Sequence, residues 1–91
     1  MDIKEVAKAG TLESNDIMIM VGPNEQGRND IEIDSIVEKQ FGEDIRKTIE
    51  GKLKDMGVHS VKLKAKDKGA LEYTIRARVE VAIKRAMAKE D

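Results

Sequence analysis

Few side chains in this 91-residue sequence could do chemistry, and the serine of the polar segment LESND stands out among them. Ser14 directly precedes the most hydrophobic run of the chain, residues 17–21. An unactivated serine is a poor nucleophile. A small side chain with polar neighbours at the root of a strand does, however, suit modification by another enzyme. From the residues alone, Ser14 is either an ordinary turn residue or an attachment site.

A second serine, Ser35, lies in the segment DSI ahead of a predicted helix. The segment is similar to the Asp-Ser-Leu at which ordinary acyl carrier proteins accept phosphopantetheine. Those carriers are acidic helical bundles, whereas strands precede the motif in this chain. Ser35-Ile36-Val37-Glu38 also matches an S-x-x-E capping box, in which Ser35 and Glu38 each accept a hydrogen bond from a backbone amide. We therefore interpret Ser35 as a helix cap.

The remaining residues form no familiar catalytic or metal-binding pattern. His59 is the single histidine and there is no cysteine, so no spacing indicates a zinc site. No glycine-rich phosphate loop follows a strand. The alternating acidic residues 30, 32 and 34 lack the pattern of a calcium loop. We expect no metal site and no catalytic activity from this chain by itself.

Composition limits the kind of protein this can be. Hydrophobic residues make up 40% of the chain and aromatic residues only 2%, so the core of one small domain must be aliphatic. Because few aromatic rings are available to stack on bases, we expect no nucleic-acid partner. The absence of cysteine is compatible with a reducing compartment. No apolar segment approaches the roughly 20 residues of a membrane helix. We expect a soluble cytoplasmic protein with no membrane partner.

Hydrophobic periodicity indicates the elements that would position the serines. Residues 16–22 are apolar on both faces of a predicted strand, and Ile31 and Ile33 alternate with acidic residues over 30–35. The turn formers of GPNEQGRN separate the two strands, so we predict a hairpin. A stripe of apolar residues at helical spacing runs from Val37 to Met56, and Gly57 is typical of a helix end.

The second half of the chain predicts one more strand and one more helix. The strand VHSVKLKAK presents lysines on one face, namely Lys62, Lys64 and Lys66. These lysines suit a solvated face, an edge protected against aggregation or phosphate binding. Residues 70–88 fit a helical stripe, and the alternative is a strand as far as Arg76.

The order ββαβα predicts a small two-layer sandwich of the α/β (α+β) class, with two helices on one face of the sheet. We expect a single domain over residues 1–91. Within it, residues 1–15 form a loose N-terminal arm with the modification loop, and residues 16–88 form the folded core.

Three segments of the sequence resemble one protein family. They are AGTLESND at 9–16, IEIDSIVEKQFGEDIR at 31–46 and DKGALEYTIRARVEVAIKRA at 67–86. The sequence is similar to the acyl carrier (gamma) subunit of citrate lyase, in the carrier family of citrate lyase and malonate decarboxylase. The resemblance implies that Ser14 carries a phosphodiester-linked phosphoribosyl-dephospho-CoA group, which derives from 2'-(5''-triphosphoribosyl)-3'-dephospho-CoA.

The same resemblance implies a function and its partners. The chain would carry acetyl and citryl thioesters between an alpha (acyltransferase) and a beta (citryl lyase) subunit, as citrate is cleaved to oxaloacetate and acetate. A chain without cysteine must obtain its thiol from a cofactor. A prosthetic-group transferase would add the group, with Glu13 and Asp16 as possible recognition residues. Three arginines either meet partner acids and cofactor phosphates or form a solvated helix face, namely Arg76, Arg78 and Arg85.

Two other functions stay open. One is the carrier subunit of malonate decarboxylase. The other is a small α/β interaction domain that binds protein or RNA through its second half. Residues 51–91 carry 11 basic and 6 acidic side chains, and the first fifty carry 6 and 12, so the two halves favour partners of opposite charge. Salt-sensitive RNA binding would support the interaction domain.

Overall fold

The protein forms a four-stranded sheet with two helices, in a computed structural model that describes residues 3–36 and 39–87. The predicted α+β class is confirmed, and one further strand precedes those that were predicted. The elements are β1 (Ala7–Gly10), β2 (Ile17–Pro23), β3 (Asp30–Ser35), α1 (Lys39–Asp55), β4 (Val61–Asp67) and α2 (Glu72–Met87).

The strands lie in the order β1-β2-β4-β3, so β4 is inserted between β2 and β3. It pairs antiparallel with β2 and parallel with β3. The predicted hairpin of β2 and β3 is therefore wrong. The hydrophobic pattern predicted that each segment is a strand. It did not predict which strands pair, because that depends on β4, which lies far along the chain. The helix α1 supplies the crossover that a parallel β3–β4 pair requires.

The segment predicted as a loose arm contains β1, which pairs antiparallel with β2 at the edge of the sheet. Ile3 and Ala9 are buried in the core, and the backbone amides of Lys4 and Glu5 donate to the carbonyl of Ala86 at the end of α2. The prediction of a loose arm is wrong for these residues. The sequence AKAG has no β-branched or aromatic residue, so its strand propensity is weak.

Both helices are needed to bury one face of the sheet. Alternate residues of β2 and β4 are buried against the helices, namely Ile17, Ile19, Val21, Val61, Leu63 and Ala65. The apolar stripe of α1 contributes Ile45, Ile49 and Leu53 to the same core. The part of the stripe that falls on Val37 lies outside the described residues.

The helical prediction for the C-terminal segment is confirmed, and the strand alternative is excluded. The residues that α2 buries follow helical spacing, namely Ile75, Val79, Ala82, Ile83 and Ala86. A strand would have placed Tyr73 and Val81 on the same face as Ile75, but both are exposed. The predicted end of α1 is also found, because Gly57 has a φ of 71° and its amide donates to the carbonyl of Lys54.

The opposite face of the sheet is not covered by either helix. It carries the lysines of β4, and the register places each of them beside an acidic residue of β3 in the pairs Lys62–Asp30, Lys64–Glu32 and Lys66–Asp34. Because β4 lies inside the sheet, the interpretation of these lysines as protection of an edge strand is wrong. In the described part of the chain, neither helix has the length and apolarity needed to cross a bilayer.

Candidate functional site

Both candidate serines lie at the same end of the sheet. The last residue of β4, Asp67, is opposite the first residue of β2, Ile17, and also opposite the last residue of β3, Ser35. The loop of residues 11–16, which contains Ser14, leads directly into Ile17. The topology therefore brings this loop, the end of β3 and the β4–α2 connection together.

The carboxylate of Asp16 closes the loop. Its side chain is nearly buried, with Asp16 only 9% exposed. Arg78 of α2 donates from Nε to Oδ1 at 3.0 Å and from Nη2 to Oδ2 at 2.9 Å. The Thr11 hydroxyl donates to Oδ2 at 2.7 Å, and the Ile17 amide donates to Oδ1 at 2.7 Å. These donors, with the Arg78 guanidinium first among them, lower the pKa of Asp16 to about 2.

Backbone hydrogen bonds fix the rest of the loop. The Asp16 amide donates to the Glu13 carbonyl at 3.1 Å, which forms a tight turn around Ser14. On the other side, the Asn15 amide donates to the Lys68 carbonyl at 2.7 Å and the Lys68 amide donates to the Asp16 carbonyl at 2.9 Å. Asn15 has a φ of 65°, a left-handed conformation that asparagine tolerates better than most residues. Ser14 is exposed on a loop with a defined shape.

Gly10 allows the loop to leave β1 close to β2. It has a φ of 96°, and a Cβ atom added there would lie 1.8 Å from the carbonyl oxygen of Ile17. That approach is too close for any side chain, so only glycine fits at this position.

Ser35 has a different environment from Ser14. Its hydroxyl donates to Oδ2 of Asp67 at 2.9 Å. Asp67 is buried, and it also accepts hydrogen bonds from the amides of Gly69 and Ala70 ahead of α2. This network orders the β4–α2 connection that holds Asn15. Val37 and Glu38 of the predicted capping box lie outside the described residues, so the box itself stays a prediction.

Two concave regions flank Asp67 at this end of the molecule. One, of about 420 Å³, lies between α1 and the start of α2. The other, of about 130 Å³, is a notch between the Ser14 loop and the end of β3, which we call the Leu12 notch. It is lined by Leu12, Asp34, Ser35, Ile36, Lys66, Asp67 and Lys68.

The three arginines singled out in the sequence all make contacts within the chain. Arg76 forms an ion pair with Asp55, Arg78 holds Asp16, and Arg85 donates to the Lys8 carbonyl. Sequence reasoning missed the partnership of Arg78 with Asp16 because no local pattern links residues on two elements so far apart. Glu13 and His59 are exposed. No group of three or more acidic or histidine side chains in the described ranges is arranged to hold a metal ion.

This arrangement can present a hydroxyl but does not activate it. Asp16 is the first acidic residue after Ser14 in the sequence. Its carboxylate is held by Arg78 and remains ionised at neutral pH. An exposed side chain on a fixed loop leaves room for a bulky group, so Ser14 fits attachment of a group by a separate enzyme.

Comparison with known proteins identifies relatives over nearly the whole chain. The family model described as "Malonate decarboxylase delta subunit (MdcD)" matches residues 4–86. A citrate lyase acyl carrier protein from Latilactobacillus sakei is 50% identical over 91 residues, which is 100% of this chain and 89% of that protein. A second, from Streptococcus mutans, is 50% identical over 90 residues, 99% of this chain and 88% of that protein.

A solved structure has the same fold. It is a chain of a Pseudomonas malonate decarboxylase hetero-tetramer in complex with malonate, with a TM-score of 0.78 and 18% sequence identity. The similarity covers 94% of this chain and 88% of that chain. At this identity the likeness concerns the fold alone.

The ion pair of Asp16 predicts a pH-dependent contribution to stability. The folded-state pKa of Asp16 lies below the ordinary value of about 3.9, so the stabilisation is complete above about pH 4 and is lost as the pH falls towards 2. We expect Asp16→Asn to lower the free energy of unfolding by about 2 kcal/mol at pH 6, because hydrogen bonds to a charged group are lost. The difference from the parent should shrink by pH 2.5 in urea unfolding followed by circular dichroism.

Asp55→Asn is the matched control for that prediction. Asp55 also pairs with an arginine, Arg76, but its side chain is 60% exposed. Solvent screens such a pair, so its removal should have a much smaller effect at pH 6. An equal loss in the two variants would contradict the special role of Asp16.

Gly10→Ala should destabilise the protein through the backbone. The substitution forces a β-carbon against the Ile17 carbonyl in a left-handed conformation, and we expect a loss of about 2 kcal/mol or more in the free energy of unfolding. Gly42→Ala in α1 is the control, because no atom lies within 4 Å of the added carbon. Removing a glycine from a helix should stabilise by about 0.5–1 kcal/mol. Equal effects of the same sign would refute this account of Gly10.

Proposed function

The chain belongs to the family of citrate lyase acyl carrier proteins, and we propose that Ser14 is the residue through which it carries the acyl group. The acyl carrier role in citrate lyase rests on relatives with half of their residues identical over nearly the full chain. The observation that supports Ser14 is its place on a fixed and exposed loop, in the segment AGTLESND that resembles the family.

We propose that the group on Ser14 is phosphoribosyl-dephospho-CoA, joined through a phosphodiester. When bound, this group supplies the thiol on which acyl groups are held as thioesters, a function that a chain without cysteine cannot provide. Ser14 contributes only the ester oxygen. Asp16 and Arg78 hold the attachment point of the group in place, because their ion pair joins the loop to α2.

A fixed attachment point has a mechanistic advantage. A group tethered at one point of a compact body meets nearby active sites at an effective concentration of about millimolar. That concentration depends on the distance between the attachment point and each active site, so free movement of the loop would lower the effective concentration of the tethered group. We assign Asp16 to positioning of the loop, because its carboxylate oxygens already accept hydrogen bonds within the chain.

We propose three protein partners for the carrier. The alpha subunit would exchange acyl groups on the tethered thiol, the beta subunit would cleave the citryl group, and the transferase would install the tether. The chain itself would contribute no catalytic residue. Arg76, Arg78 and Arg85 each make a contact within the chain, and Arg85 is also exposed, so contacts of these arginines with acidic partner surfaces stay a prediction.

The malonate decarboxylase carrier is the alternative function. It is favoured by the matching family model and by the shared fold of the Pseudomonas decarboxylase chain. The sequence identity with that chain is much lower than with the citrate lyase carriers. The purified complex distinguishes the two functions, because one releases oxaloacetate from citrate and the other decarboxylates malonate.

Ser14→Ala should abolish attachment without changing the fold. The chain is co-expressed with a citrate lyase prosthetic-group synthase and transferase, and its intact mass is measured. We expect the parent to gain the mass of the group on the peptide containing Ser14, and the variant to stay unmodified with the same circular dichroism spectrum. Ser35→Ala is the matched serine control and should still be modified. An adduct on Ser35, or on the Ser14→Ala chain, would refute the assignment.

Glu13 is proposed as a recognition residue for the transferase, because it is exposed beside Ser14. We expect Glu13→Gln to slow modification of the chain several-fold through the loss of one charged contact. The rate is measured by intact mass over time with purified transferase. An unchanged rate would mean that the charge of Glu13 is only solvated.

A further inference from the structure

Two exposed aliphatic side chains lie beside the loop that carries Ser14. Leu12 is 49% exposed and Ile36 is 67% exposed. They come from different elements, the loop itself and the end of β3, yet both line the Leu12 notch. Single exposed aliphatic residues are common on protein surfaces, so exposure by itself indicates nothing. What distinguishes them is that they line one notch, and that Leu12 belongs to the loop of Ser14.

The enzyme that modifies Ser14 has to cover this surface. Bond formation requires its active site to reach the Ser14 oxygen itself, whereas enzymes that act at the far end of a long tether have no such requirement. A specific protein interface covers about 800 Å² on each partner, which is far larger than one loop. A footprint centred on Ser14 therefore extends over Leu12 and the adjacent notch.

A partner does not bind this loop as an extended peptide. Its hydrogen bonds to Arg78 and Lys68 hold it in the folded form, so a partner meets a preformed surface. The charged residues that line the notch balance in number, since Lys66 and Lys68 accompany Asp34 and Asp67. Net charge therefore gives this surface little attraction for a partner, and the apolar pair is its distinctive feature.

We propose that Leu12 and Ile36 form the docking surface for the prosthetic-group transferase, which buries both side chains in an apolar pocket while its active site reaches Ser14. This inference rests on the proposed function of Ser14. Recognition is then conformational, because the two side chains meet only in the folded chain. Burial of an exposed aliphatic side chain in a partner's apolar pocket is favourable in proportion to the apolar area removed from water, so this pair can contribute to binding.

The test measures binding of the transferase to a chain that it cannot modify. Leu12→Ser and Ile36→Ser are each made in the Ser14→Ala background, and the Kd for purified transferase is determined by titration calorimetry. We expect each substitution to weaken binding about tenfold relative to the Ser14→Ala parent. Val6→Ser is the matched control, because Val6 is 79% exposed but precedes β1 at the opposite end of the sheet. Its Kd should equal that of the parent.

The outcomes separate this inference from the proposed function. If active transferase leaves the unsubstituted chain unmodified, the proposed function fails. If that chain is modified but Leu12→Ser and Ile36→Ser bind as the parent does, or Val6→Ser is weakened equally, the docking surface is wrong. Leu12→Ser and Ile36→Ser are also made with Ser14 intact, modified to completion with excess transferase and assayed for acyl exchange. Exchange at the parental rate supports the proposal, and a loss would assign the surface to a lyase subunit instead.

Discussion

The bidentate ion pair between Asp16 and Arg78 fixes the loop of Ser14 against the helical layer. Asp16 ends the loop of Ser14 directly before β2, while Arg78 lies in the middle of α2. One carboxylate thus joins the loop of Ser14 to both layers of the sandwich. A nearly buried charge is costly unless it is fully hydrogen-bonded. Here the guanidinium, the Thr11 hydroxyl and the Ile17 amide satisfy it.

A second buried carboxylate, that of Asp67, orders the neighbouring β4–α2 connection. Asp67 accepts hydrogen bonds from the Ser35 hydroxyl and from the amides of Gly69 and Ala70. Within the described residues, no buried side-chain nitrogen or oxygen lacks a partner. Two aspartates at the paired ends of β2 and β4 therefore order two adjacent connections, and the aliphatic core below them needs no polar group. The end of the sheet that carries Ser14 is held by hydrogen bonds, whereas the layers are held by apolar packing.

The parts of the fold that sequence could predict are those decided by local pattern, length and composition. The C-terminal segment alternates as regularly as a strand, but a strand of that length would be unusual and the segment is rich in helix formers, and these two properties identified α2 correctly. The pairing of β2 with β4 was not predictable, because it joins Ile17 to Asp67 and depends on packing across the whole domain. Ser14 was indicated by family resemblance, since its own chemistry is ordinary. The role of Arg78 had no local signal at all.

A folded body also decides which serine a modifying enzyme can reach. The chain contains three serines, and each has a hydroxyl of the same intrinsic reactivity. The Ser35 hydroxyl donates to Asp67, and the Ser60 hydroxyl donates to the carbonyl of Asn24, so both are engaged in half-buried positions. Ser14 is the exposed one of the three, on a loop that hydrogen bonds keep in place. The proposed selection of Ser14 among chemically equivalent hydroxyls would therefore be a property of the fold.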